Sequence, residues 1–283
     1  MAEERGRVMT ASDKAIVAVA NRKGGTGKTT TTVNLSVEWA RQGWRTLVID
    51  LDSQGHTGLG LGVDGAANPA ATVHHLFRDP AVPLETLCSR TEVEGLTVCP
   101  ADPGFDGQIA GAVDPFLLRR CLEQADAPRF DRVVIDTPPT SGAALLIAFV
   151  AATGILVPSP PDFLAAEGIR QLSQLFYTVA TRHNPDLTRF AILPVMHDPR
   201  LRMHRTVMQD LERQFGRTRM LRGIRTDIKL AEAFGAGQPI QVFNRRSRGG
   251  LDYHLLAEEL DAAWSWAPAI KKDAVHEIGS PGR

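Results

Sequence analysis

The densest chemistry in the sequence lies at residues 21–35, NRKGGTGKTTTTVNL. Gly24, Gly25 and Gly27 lack Cβ atoms, so the backbone there can turn tightly and aim its N–H groups at one point. A helix starting near Lys28 adds the positive end of its dipole, which makes the segment a cradle for phosphate oxygens. In such a loop Lys28 reaches the β and γ phosphates of a nucleotide, and the Thr29 hydroxyl is placed to ligate Mg²⁺. A glycine-rich turn between strand and helix can also be purely structural. What separates the two readings is the Gly-Lys-Thr-Thr that closes this turn behind an apolar run. The strict pattern G-x-x-x-x-G-K-[ST] is broken, because Arg22 stands where its first glycine belongs, and Lys23 adds a second cation.

Acids follow in order. IDLDSQGHTGLGLG begins at Ile49 and puts Asp50 and Asp52 two residues apart at the end of an apolar run. An aspartate at a strand end is often only a cap or a turn residue. The same place is the edge at which a doubly wound sheet keeps its chemistry. Farther on, DRVVIDTPP ends four apolar residues on Asp136. A carboxylate carried into that edge is costly unless it meets a cation, and Mg²⁺, directly or through a water, supplies one.

These residues need elements to hold them. Short β-branched runs occur at 15–20, 46–50, 96–99, 132–136, 154–158 and 190–193, and continuous apolar runs of this kind predict strands buried on both faces. Between them lie helix-like stretches at 29–42, closed by Gly43, and at 115–124, 163–183, 205–215 and 251–266. The alternation predicts an α/β fold: a single doubly wound, mostly parallel sheet with helices on both faces and ligand sites at the carboxyl ends of the strands. One domain is expected over 15–268, between a flexible N-terminus at 1–14 and a flexible tail at 269–283.

The loop K-G-G-x-G-K-[ST]-[ST] resembles the deviant Walker A of the ParA family, within the superfamily that also holds MinD and the nitrogenase iron protein. The resemblance implies a P-loop ATPase that uses ATP and Mg²⁺, with nucleotide contacts from Lys23, Gly24, Gly25, Thr26, Gly27, Lys28, Thr29 and Thr30. It implies Thr29 and Asp136 at the metal, and Lys23, Lys28 and Asp52 in catalysis. Lys23 is then the signature lysine, which crosses a dimer interface to the phosphates of a second copy. The segment at Asp50 is similar to the family's DxDPQGN, with Ser53 for the proline and His56 for the asparagine, and by position Asp52 orients the attacking water. DRVVIDTPP resembles Walker B and switch II, with Pro138 and Pro139 stiffening the loop. VMHDPR resembles the base-contacting TMYDPR through Asp198, Pro199 and Arg200, and Ile224 and Thr226 stand at an IPR-like element that lacks its proline. A lone His197 reads as a packed or solvated residue.

Charge is concentrated in one stretch. Residues 198–250 hold twelve basic residues against five acids, a local excess of seven in a chain whose 32 Lys+Arg balance 32 Asp+Glu. Such a segment is either a solvated basic face or the footprint of a polyanion. FNRRSRGGLDYHLLAEEL is similar to the family's YxPRSxGAxxYxxLAxE element, near which basic residues serve nonspecific DNA binding. That assigns Arg246 and Arg248, together with Arg225 and Lys229, to double-stranded DNA. About twenty residues precede the phosphate loop, and a helix-turn-helix reader needs roughly twice that, so the resemblance is to the small type without that domain.

Composition bounds the rest. A chain of 283 residues, 43% hydrophobic, can bury one large core. Cys88, Cys99 and Cys121 are odd in number and form no CxxC pair, which argues against a disulfide framework or a zinc site and fits a reducing cytoplasm. The polar start and the lack of about eighteen apolar residues in a row give no export signal and no membrane span. The family implies an ATP-dependent homodimer on the nucleoid that positions a plasmid, a chromosome or a protein assembly such as a carboxysome. Its ATPase is weak alone and stimulated by a ParB-like protein or cargo adaptor. A small-molecule kinase or synthetase of the same superfamily is the alternative. A membrane-cycling, MinD-like role would need a basic amphipathic C-terminal helix, whereas LLAEELDAAWSWAP is acidic. A cluster-bearing iron protein would need a cysteine beyond Asp136, and none follows it.

Overall fold

Apolar runs that do not alternate need cover on both faces, and this chain provides it. The computed structural model describes residues 15–105, 114–124, 130–140 and 142–266; the expected flexible ends, with Pro268, lie outside them. The strands are β1 (Ala15–Val19), β2 (Thr46–Asp50), β3 (Ser89–Arg90), β4 (Leu96–Cys99), β5 (Arg132–Asp136), β6 (Gly154–Ser159) and β7 (Arg189–Pro194). Among the described residues they form one sheet in the order β3-β4-β2-β5-β1-β6-β7, parallel throughout except for the short antiparallel β3. Every residue of β1, β2, β5 and β6 is buried.

Alternate strand residues face two different layers. On one face Val17, Val19, Val134 and Leu156 pack with Leu35 and Trp39 of helix α1 (Lys28–Arg41) and with Tyr253 and Leu256 from the C-terminal helix. On the other, Ala18, Ile49 and Ile135 pack with Leu118, Phe149 and Leu172. Those three belong to α3 (Leu117–Glu123), α4 (Ala143–Ala151) and α5 (Ala165–Arg182); the short α2 (His56–Gly60) lies beyond β2. After β7 come α6 (Arg202–Phe215), α7 (Ile228–Gly235), α8 (Ile240–Phe243) and the C-terminal α9 (Arg248–Ala263).

The far end of the sheet is closed by an aromatic box. The buried Arg132 guanidinium lies 3.9 Å from the centre of the Trp44 ring and 3.2 Å from Asp261 of α9. Nearby, Trp264 covers Gly154 so closely that an added Cβ would stand 2.7 Å from its ring. Register does the rest at the functional end, where Asp136 pairs with Val19 on one side and Asp50 on the other. Both acids therefore emerge beside the loop that follows β1. No described helix is long and apolar enough to cross a membrane.

Candidate nucleotide site

The loop between β1 and α1 is held from behind. Asn21 donates from Nδ2 to the Pro158 carbonyl at 2.8 Å and accepts the Lys23 N–H at Oδ1 at 3.0 Å, which ties the loop to β6. Gly25 and Gly27 take φ values of 70° and 77°, the left-handed region that a glycine enters without strain. Gly27 caps α1, its carbonyl accepting Thr31 N–H at 2.9 Å. Thr26 is buried and donates to the Lys23 carbonyl at 3.2 Å, while exposed Gly24 has no atom within 4 Å of where a side chain would begin. Thr30, half-buried in the first turn, offers its carbonyl to Asn34 at 2.8 Å.

Lys28 and the acids form one electrostatic unit. The Lys28 side chain is buried and its Nζ donates to the Lys23 carbonyl at 3.3 Å. Burial lowers its pKa, and Asp136 and Asp52 pull it back. Asp136 accepts the hydroxyls of Thr29, at 2.8 Å, and Thr57, at 2.7 Å, on one carboxylate oxygen. Its other oxygen, Oδ1, is buried without a hydrogen-bond partner. Burial pushes the Asp136 carboxyl up to about 6, against the hydroxyls of Thr57 and Thr29 and the charge of Lys28. Asp50 is fully buried and accepts the N–H groups of Asp52 and Thr57, both at 3.1 Å; burial and the neighbouring Asp136 raise its pKa. Asp52 is half-exposed and its Oδ1 accepts Gln54 N–H at 3.1 Å.

A hydroxyl, a carboxylate with an unsatisfied oxygen and a nearby run of N–H groups are the hard-oxygen surroundings that suit Mg²⁺ on a polyphosphate. The structure thus brings together Lys28, Thr29, Asp52 and Asp136, as read from the sequence. It adds Thr57, which sequence reasoning missed; a threonine in the first turn of a five-residue helix gives no local signal of the contact it makes. Lys23 is set apart from this unit. Its side chain is 60% exposed and its Nζ contacts Asp162 at 2.9 Å, in the loop between β6 and α5.

Two further segments fall into place. His197 N–H donates to the Ile224 carbonyl at 3.0 Å, so the stretches that resemble the base-contacting elements lie side by side. His197 itself is half-buried and burial lowers its pKa. The basic residues divide. Arg225 is bound to Asp252 at 2.7 Å and Lys229 to Glu232 at 2.6 Å. Arg246 and Arg248 line a cavity of about 520 Å³ with Arg41, Arg245 and His254. Arg245 and Arg246 have no carboxylate within ion-pair distance among the described residues.

A phosphate loop with a second lysine, facing acids on neighbouring strand ends of a parallel sheet, defines a P-loop nucleotide hydrolase of the deviant Walker A type. A family model described as an AAA domain matches residues 14–189. Chromosome partitioning protein ParA of Myxococcus xanthus is 33% identical over 264 residues, 92% of this chain and 92% of its own. The chromosome-partitioning ATPase Soj of Thermus thermophilus is 36% identical over 249 residues, 87% of this chain and 95% of its own. The chain belongs to the ParA family. Among solved structures, cobyrinic acid a,c-diamide synthase from Mycobacterium smegmatis, with bound ATP analog and magnesium, is similar at a TM-score of 0.75 and 29% identity, covering 91% of this chain and all of that one.

Proposed function

We propose that this protein is a positioning ATPase that binds Mg·ATP, pairs with a second copy across the nucleotide, rests on DNA without reading its sequence and leaves after hydrolysis stimulated by a partner. The observation that carries the reading is the contrast between the two lysines: Lys28 is buried against its own acids, whereas Lys23 projects to an exposed contact outside that cradle. An exposed ion pair such as Lys23–Asp162 is released at little cost, which leaves Lys23 free to meet phosphates held by another subunit. Within each subunit Gly24 to Thr30 hold the phosphates, Lys28 neutralises the β and γ groups, and Thr29 and Asp136 hold the metal. Bound Mg²⁺ supplies charge that draws electron density from the transferring phosphoryl group. Asp52 orients the water, its backbone being fixed through Asp50.

Arg246 and Arg248 form the polyanion surface, extended by Arg41 and Arg245 from the same cavity. Arg225 and Lys229 join it by exchanging their intramolecular carboxylates for phosphates. Relatives bearing partitioning names at 33–36% identity favour this reading over a small-molecule synthetase, the reading the M. smegmatis enzyme would support. The test is fluorescence anisotropy of two unrelated duplexes with a nonhydrolysable ATP analogue at several salt concentrations. Binding is expected to be indifferent to sequence, weak with ADP, and to fall by about 0.9 in log affinity per log salt for each phosphate contact. Arg246→Glu with Arg248→Glu should weaken both duplexes alike while intrinsic ATPase is kept. Equal affinity of wild type and double variant would remove DNA from the account and return weight to the synthetase.

A further inference from the structure

Leu51 lies between Asp50 and Asp52, and both polar groups of its backbone are taken. Its N–H donates to the Asp136 carbonyl at 3.0 Å, which joins it to β5. Its carbonyl accepts a hydrogen bond from the imidazole of His74, a residue 23 positions away in sequence with no motif around it. His74 is 2% exposed, in the 3-10 turn Val73–Phe77. Its Nδ1 accepts the backbone N–H of Asp102 at 2.9 Å, which fixes the tautomer: Nδ1 carries no proton, so Nε2 carries one and donates to Leu51. The ring is stacked on Phe105 at 4.2 Å with 14° between planes. Around it Val73 N–H donates to the Pro100 carbonyl at 2.9 Å, and Asp102 accepts Gly104 N–H at 2.8 Å and pairs with Arg78 at 3.6 Å. A proton added at Nδ1 would face the Asp102 N–H, and burial alone already holds the ring neutral, its pKa pushed down to about 4.

We propose that His74 is a positioning residue for hydrolysis: its ring braces the Leu51 carbonyl against the end of β4, and so fixes the backbone that carries Asp52. The proposal rests on the reading of Asp52 as the water-orienting carboxylate. A buried neutral imidazole with both nitrogens used suits this task, because it is rigid, cannot rotate without losing a bond, and ties the loop to an element of the sheet. Asp52 by contrast is half-exposed and holds only its own turn. Without the brace the acid keeps its charge and loses its aim.

Two isosteric changes separate bracing from packing. In His74→Gln the terminal amide can stand where Nε2 stood and donate to Leu51; in His74→Asn the side chain reaches the Asp102 N–H and stops short of Leu51. Basal ATP turnover of the full chain with Mg·ATP should stay within about threefold of wild type in the glutamine variant. The asparagine variant should lose about ten- to a hundredfold in kcat with KM nearly unchanged. In an Asp52→Ala background the asparagine change should cost nothing further, since its effect passes through Asp52. Wild-type kcat in His74→Asn would overturn the proposal, as would equal losses in both variants or the same loss again in the Asp52→Ala background. Should Asp52→Ala alone turn over at the wild-type rate, the reading of Asp52 falls and the positioning role falls with it. A slow Asp52→Ala beside an unimpaired His74→Asn removes His74 alone.

Discussion

Asp136 carries a cost in the empty protein. A buried carboxylate with one oxygen unpartnered and a second buried acid beside it is destabilised in its charged form. Its folded pKa of about 6 lies above the unpaired value of 3.8, so between those values the native state binds the extra proton. The stability linked to that proton is therefore lost as pH rises through about 6. Asp136→Asn should raise the melting temperature of the nucleotide-free protein at pH 7.5 by roughly 2–4 °C and abolish the further rise on adding Mg·ATP. Scanning calorimetry with and without nucleotide reads both, and a variant still stabilised by Mg·ATP would exclude Asp136 from the metal. Lys28, Thr29 and Asp136 were legible in the sequence because each belongs to a contiguous signature. Thr57 and His74 were not, since what each does is decided by a partner brought over by the fold, 79 residues away for Thr57.

Strands were the most legible elements, and the reason is physical. Runs such as RVVID and TLVID are buried on both faces, so hydrophobicity without alternation marks their bounds directly. Helix α4 was missed for a related reason: AALLIAFVA is apolar all round, and a helix without a polar face has no period to detect. The two-residue β3 and the four-residue α8 are too short to carry any pattern. Helix α1 links two functions through one rigid rod, with Lys28 in its first turn at the phosphates and Arg41 in its last turn at the basic cavity. The end of the sheet remote from both is structural. Gly154→Ala would press a methyl against Trp264, which is itself packed, and against the Arg189 Cβ at 3.1 Å. A loss of about 1–3 kcal/mol by urea denaturation is expected, with affinity for an ATP analogue unchanged. A variant as stable as wild type would mean that the aromatic box yields more readily than its packing implies.

At the scale of the molecule, charge and nucleotide chemistry occupy separate faces of one sheet, and dimerisation is what would couple them. The local excess of seven positive charges is largely absorbed in ion pairs, Arg200 with Asp198, Arg213 with Asp210 and Arg217 with Glu212 among them. The arginines at the α9 cavity are left to act together. Two copies held across ATP would present this surface twice, doubling the phosphates neutralised and steepening the response to salt. The account stands on Lys23 acting in the partner's site and not in its own. Light scattering of wild type and Lys23→Ala with Mg²⁺ and a nonhydrolysable ATP analogue, alongside the analogue's affinity for each, tests this most directly. Wild type should double in mass, while Lys23→Ala stays monomeric with affinity within about threefold of wild type. A Lys23→Ala protein that dimerises as wild type does, or that no longer binds the nucleotide at all, would contradict it.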